Sequence, residues 1–130
     1  MTNKIKVLTL LAGLFIGTAT FATEIEKFNS EIFMDAQKAG KKIVLHYHAD
    51  WCPTCRKQNN LLSELVKDSK YKDLIFIQAN YDKDTEIKKK HNVKSQSTLI
   101  YFKGETEVSR SLGQTDKKVL ADELNNLAVK

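Results

Sequence analysis

An α/β domain is the fold this sequence predicts: a central mixed sheet with a C-terminal antiparallel hairpin and helices on both faces. Three observations point there. Two near-continuous apolar runs, at 43–48 and 74–79, read as strands buried on both faces. Helical patterns alternate with them along the chain. Lys103-Gly104-Glu105-Thr106 joins two further β-prone runs as a hairpin.

The first 22 residues are read as an export signal and not as part of the fold. Lys4 and Lys6 give a basic start, Val7 to Ile16 is an apolar run, and Thr20-Phe21-Ala22 offers the small residues a signal peptidase reads. Cleavage is expected near Ala22. The alternative, a retained anchor, is disfavoured because the apolar run is short for a membrane span. No cysteine lies at that point to carry a lipid. One domain then remains over residues 23–130. Removing Lys4 and Lys6 lowers the net charge from +5 to +3. The remaining lysines are interleaved with acids, as in Lys83-Asp84-Thr85-Glu86, which reads as solvated surface and not as a nucleic-acid footprint.

The elements follow in order. Ser30 is expected to cap a helix whose inner face carries Ile32, Phe33, Ala36 and Ala39, ended by Gly40. A strand over 43–48 leads through Ala49-Asp50-Trp51 into a helix bearing Leu61, Leu62, Leu65 and Val66. The second buried strand, 74–79, precedes a lysine-rich helix over about 84–91. Strands at 98–102 and 107–111 form the hairpin, and Gly113 breaks the pattern. Thr115 is expected to cap a last helix with Val119, Leu120, Leu124 and Leu127 facing inward. The order α, β, α, β, α, β, β, α suggests two strand–helix–strand crossovers and then the hairpin.

The chemistry concentrates in Trp51-Cys52-Pro53-Thr54-Cys55, which holds both cysteines of the chain. Disulfide exchange needs a thiolate, so such a site must lower the pKa of one thiol. A helix N-terminus does so through unpaired N–H groups and its dipole. Pro53 suits the first helical position, placing Cys52 at the cap and Cys55 on the same face one turn in. Cys52 is then expected to be the exposed nucleophile and Cys55 the buried resolving thiol, the two closing a redox-active disulfide. Arg56 and Lys57 add positive charge nearby. A purely structural disulfide is disfavoured because so small a ring constrains little chain. A zinc site is disfavoured because zinc ordinarily takes four ligands. No metal and no separate cofactor are therefore expected.

With these residues the chain resembles the thioredoxin superfamily. The matching stretches are Ala49-Asp50-Trp51-Cys52-Pro53-Thr54-Cys55, Thr98-Leu99-Ile100-Tyr101-Phe102-Lys103-Gly104, and Gly113. Within it, HADWCPTCRK and IFIQANYDKD are most similar to the C-terminal periplasmic domain of the bacterial thiol–disulfide interchange protein. The resemblance spans nearly all of residues 26–130 and implies a thioredoxin fold, with Cys52 attacking and Cys55 resolving. Trp51, Pro53, Thr54, Ser97 and Thr98 would form the surroundings. Trp51 would shield the nucleophile and offer a contact surface.

Two departures from the family stand out. Ser97 occupies the position where the family has a cis-proline facing the site. A cis bond before a non-proline residue costs about 2.5–4 kcal/mol, so the Gln96–Ser97 bond is expected to be trans, or cis only under strain. Ser97 also brings a hydroxyl near the sulfurs. His46 stands where the family often buries an Asp beneath the resolving cysteine, and it could move that proton. The competing reading of His46 is a core histidine satisfied by backbone. His48 reads as packing, and His91 as surface.

The expected function is a periplasmic or secreted thiol–disulfide oxidoreductase that reduces protein disulfides. A separate membrane electron donor and a monomeric state are expected with it. An oxidase or isomerase is the alternative within the class. Outside it stand a metal-binding module using Cys52 and Cys55 with His46 or His48, and a redox-inert interaction domain.

Overall fold

The computed structural model describes residues 24–129. The expected signal at residues 1–22 and its cleavage point near Ala22 lie outside the described residues. The elements are β1 (Ile25–Lys27), α1 (Ser30–Lys38), β2 (Lys42–His48), α2 (Pro53–Leu65), a 3-10 turn (Ser69–Tyr71), β3 (Leu74–Asn80), α3 (Thr85–Lys90), β4 (Thr98–Lys103), β5 (Thr106–Leu112) and α4 (Lys117–Val129). Among them no helix is long and apolar enough to cross a membrane.

One five-stranded sheet runs in the order β1-β3-β2-β4-β5. β3 pairs in parallel with both β1 and β2, whereas β4 runs antiparallel to β2 and to β5. The two parallel crossovers are therefore β1-α1-β2 and β2-α2-β3, each reached through a covering helix. The segment β3-α3-β4 is not a second parallel crossover, as the sequence suggested. Its strand returns across β2 in the opposite sense.

Alternation of side chains divides the core into two layers. Val44, Phe76, Leu99 and Tyr101 face Leu62 and Leu65 of α2 and Leu120, Leu124 and Leu127 of α4. Ile43, Leu45, Tyr47, Ile77, Ile100 and Phe102 face Phe33 and Ala36 of α1 and Ile87 of α3. Central β2 is buried from Ile43 to His48, as its apolar run predicts.

Several expectations shift by a residue or a face. Asn29, not Ser30, caps α1: its Oδ1 accepts from the N–H groups of Glu31 and Ile32. Asp116, not Thr115, caps α4: its Oδ1 accepts from Val119 N–H at 3.0 Å. Ile32 and Val119 were expected inside but are 52% and 39% exposed. The inner face of α1 is Phe33, Ala36 and Gln37, with Ala39 outside. His91 is not free surface: its ring packs on Phe33 and Phe102, and Nδ1 lies 3.1 Å from the Tyr47 hydroxyl.

The β4–β5 turn depends on Gly104, whose φ is +57°. A Cβ there would lie 3.0 Å from the Gln37 carbonyl oxygen and 3.3 Å from Gly40 Cα. Backbone strain and contact add, so Gly104→Ala is expected to cost roughly 1–3 kcal/mol, read as a lower denaturant midpoint with an unchanged m-value.

Candidate active site

The carboxyl end of β2 delivers the motif. After His48 the chain turns through Ala49-Asp50-Trp51 and enters α2 at Pro53, with Cys52 as the N-cap. The antiparallel return of β4 brings a second segment to the same place. Tyr47 pairs with Thr98, so the residue before Thr98 must lie beside the start of α2. That residue is Ser97.

Cys52 and Cys55 are both reduced thiols here. Cys52 Sγ accepts the Cys55 backbone N–H at 3.1 Å. The Ser97 hydroxyl sits between the sulfurs, 3.3 Å from Cys52 Sγ and 3.1 Å from Cys55 Sγ. Burial alone would push the Cys52 thiol up. Hydrogen bonds from the Cys55 side chain, the Ser97 hydroxyl and the Cys55 and Thr54 backbone outweigh it and hold Cys52 below the ordinary cysteine value. For Cys55, burial and its hydrogen bond to the Cys52 sulfur both act upward, and the thiol stays protonated more firmly than free cysteine. The two cysteines thus split in the sense expected from their positions on the helix.

One expectation fails in part. Cys52 is not an exposed thiol but only 3% exposed. Its sulfur folds back over the first helical turn to collect the Cys55 N–H and rests against Ser97. Cys55 is fully buried, as expected. Trp51 is 59% exposed and donates its indole N–H to Asp82 Oδ2 at 2.9 Å. Pro53 stands at the first helical position, and Thr54 lies exposed behind it. Thr98 turns from the sulfurs to donate its hydroxyl to the Ser95 carbonyl at 2.7 Å. Arg56 donates to the Asp50 carbonyl, not toward the thiols.

No cis peptide bond occurs among the described residues, so the Gln96–Ser97 bond is trans. Ser97 instead adopts φ +65°, a left-handed conformation that a non-glycine residue holds only under constraint. Three hydrogen bonds supply it. Ser97 N–H donates to the Tyr47 carbonyl, and the Ser97 carbonyl accepts from Gly113 N–H and from Gln58 Nε2 at 3.1 Å.

Gln58 is the residue that the sequence reading missed. It is completely buried, and its Oε1 lies 3.0 Å from His46 Nε2. A carbonyl can only accept, so Gln58 must present its NH2 to Ser97 and its oxygen to His46. His46 therefore carries its proton on Nε2. Its Nδ1 is left bare, buried and without a hydrogen-bond partner. A signal was available: Gln58 interrupts the stripe Cys55, Leu62, Leu65 on the inner face of α2.

The reading of His46 as a histidine satisfied by backbone does not hold, because its partner is a side chain and one nitrogen has none. Burial, then the neighbouring His48, push its pKa down to about 4 against the upward pull of Gln58. His46 stays neutral at pH 7. His48 lies on the same strand face, its ring centroid 5.6 Å from that of His46. Its Nε2 is 3.3 Å from Asp50 Oδ1, and its Nδ1 is also buried without a partner.

The unfolded chain protonates His46 as the pH falls below 6.5, whereas the native form resists until about 4. Its contribution to stability is thus whole above 6.5 and is lost on descent to 4. About 3 kcal/mol is at stake. Denaturant titrations of wild type and His46→Gln across that window are expected to show the variant with the flatter pH dependence.

Known proteins share this fold. Residues 19–126 match the family model described as thioredoxin. A thioredoxin H-type from Brassica campestris is 29% identical over 105 residues, covering 81% of this chain and 83% of that protein. The crystal structure of Trxlp from Edwardsiella tarda is 33% identical with a TM-score of 0.75, covering 78% of this chain and 98% of that one. The oxidised thioredoxin of Plasmodium falciparum, at 21% identity and TM-score 0.70 over 81% of this chain and 99% of that one, shows likeness of fold.

Proposed function

We propose that this chain, which belongs to the thioredoxin family, is an exported reductant of protein disulfides. Its reaction class, thiol–disulfide exchange, is that of the family. Direction, location and residue roles are our reading. Cys52 attacks one sulfur of a substrate disulfide as the thiolate. That S–S bond breaks, a mixed disulfide forms, and the departing substrate thiolate takes a proton from solvent. Cys55 then gives up its proton and attacks Cys52 Sγ. The second substrate thiolate leaves, the Cys52–Cys55 disulfide closes, and two electrons have passed to the substrate.

The observation that carries this reading is the capping of α2 by a sulfur. Cys52 Sγ accepts the Cys55 N–H at 3.1 Å with the Ser97 hydroxyl at 3.3 Å, a setting in which the anion is favoured. His46 is the proton acceptor we assign to Cys55. Its bare Nδ1 is basic enough to take the proton in transit and, with a pKa of about 4, too weak to keep it. Ser97, with its backbone held in place of a proline, presents the loop edge against which an extended substrate would dock.

The basic and apolar pattern of residues 1–22 supports periplasmic or secreted action. The likeness of HADWCPTCRK and IFIQANYDKD to the periplasmic domain of the interchange protein supports reduction. A reductant in that compartment is recharged by a membrane-borne donor, and this one acts as a monomer.

Cys55→Ser is expected to accumulate mixed disulfides with substrate proteins that dithiothreitol releases, while Cys52→Ser accumulates none. Trapping by Cys52→Ser and none by Cys55→Ser would reverse the assigned roles. A reduction potential near about −270 mV fits the reductant, whereas one near about −120 mV would make the protein an oxidant. In a separate measurement, Ser97→Ala is expected to raise the Cys52 pKa toward that of a free thiol. Iodoacetamide alkylation near neutral pH then slows severalfold.

A further inference from the structure

We propose that the reduced protein holds one monovalent copper ion on His46 Nδ1, His48 Nδ1 and Cys55 Sγ, beneath the redox motif. One ring nitrogen from each histidine and the Cys55 sulfur lie within 4.8 Å of one another, and all three residues are buried. The hydrogen bonds leave Nδ1 as the free nitrogen of each histidine. His46 commits Nε2 to the Gln58 carbonyl oxygen, and His48 turns Nε2 to the Asp50 carboxylate. Both Nδ1 atoms are left buried and without partners.

Among the described residues no other buried side-chain nitrogen or oxygen lacks a partner, and an unpartnered buried nitrogen is costly. Two of them, on histidines grouped with one sulfur, call for a common partner. The outer contacts fit a metal-bound imidazole, whose second nitrogen ordinarily donates to a carbonyl or carboxylate that fixes the tautomer. Strand periodicity supplies the rest of the geometry. His46 and His48 are two apart on β2 and share a face, and Cys55 reaches that face from the first turn of α2.

The ligand set selects the ion. One thiolate and two neutral imidazoles suit a soft cation in a three-coordinate site. A monovalent ion with one thiolate leaves no net charge in the buried site. A divalent ion would leave a positive charge there, at a substantial desolvation cost. On binding, the Cys55 thiol releases its proton to solvent and its sulfur bonds the ion. No electron moves. Forming the Cys52–Cys55 disulfide would withdraw that sulfur, so the site exists only in the dithiol state. This inference does not depend on the direction of disulfide exchange.

The test is anaerobic titration of the full chain with Cu(I) against a chromophoric Cu(I) chelator. One equivalent is expected to bind to the reduced wild type and to Cys52→Ser, and none to the oxidised protein. Cys52→Ser/His48→Gln is expected to bind at least tenfold more weakly than Cys52→Ser. X-ray absorption of loaded Cys52→Ser and of loaded wild type is expected to show two nitrogen neighbours and one sulfur, a readout that needs no histidine variant to fold. Loss of binding in Cys52→Ser, undiminished binding in the histidine variant, or sulfur-only coordination would overturn the proposal and leave simple chelation by the cysteine pair.

Discussion

The bond from the Cys55 N–H to Cys52 Sγ, at 3.1 Å, is the interaction on which this site depends. A helix must offer its first N–H groups to something, and here the acceptor is a sulfur. The same bond ends the turn after β2, starts α2, and favours negative charge on Cys52. A side-chain oxygen at that position would cap the helix equally well. The choice of sulfur ties the stability of the helix start to the ionisation of the thiol. For Cys55, one turn further in, burial and the hydrogen bond to the Cys52 sulfur outweigh the hydrogen bonds from the Ser97 hydroxyl and the Ala49 backbone. One short element thus gives two identical side chains opposite tendencies.

A second constraint holds the facing loop without proline. A residue at φ +65° outside glycine carries strain of order 1–3 kcal/mol. The loop keeps this shape because Tyr47, Gly113 and Gln58 each bind the Ser97 backbone. Proline could not donate the N–H that Ser97 gives to Tyr47. Serine therefore exchanges a conformationally locked ring for an additional backbone hydrogen bond and a hydroxyl between the sulfurs. Gln58 couples this loop to His46, so loop position and histidine tautomer are set by one amide. Each end of that amide requires the other: turning it would set an oxygen against the Ser97 carbonyl.

Much of this was legible in the sequence where a local cause operates. The apolar runs gave β2 and β3, and a proline after a capping cysteine gave the start of α2. The redox pair and the neighbourhood of His46 and Ser97 follow from resemblance and spacing. What was not legible depends on distant partners. β1 is three residues, two half-buried and one exposed, that are a strand only because β3 lies beside them. The reversed direction of β4 has no local signature. The caps moved from Ser30 to Asn29 and from Thr115 to Asp116, where adjacent polar residues compete and the approach of the chain decides. Gln58 was passed over, although its place in the inner stripe marks it as buried. The left-handed Ser97 is imposed by three bonds from elsewhere in the fold.

The paired bare nitrogens place a limit on what the site can be. Were His46 and His48 mere packing residues, hydrophobic side chains of similar size would fill the same space without leaving two imidazole lone pairs unmatched. A proton in transit from Cys55 answers for His46, but not for His48, whose Nδ1 is equally buried and unpartnered. The proposed copper ion, shared by both rings, would use both lone pairs. It must also be absent whenever Cys55 is bonded to Cys52. Proton transfer and metal ligation then need not be rival accounts of His46. As proposed, they would be successive uses of one lone pair, divided by whether the adjacent sulfur is a thiol, a disulfide or a ligand.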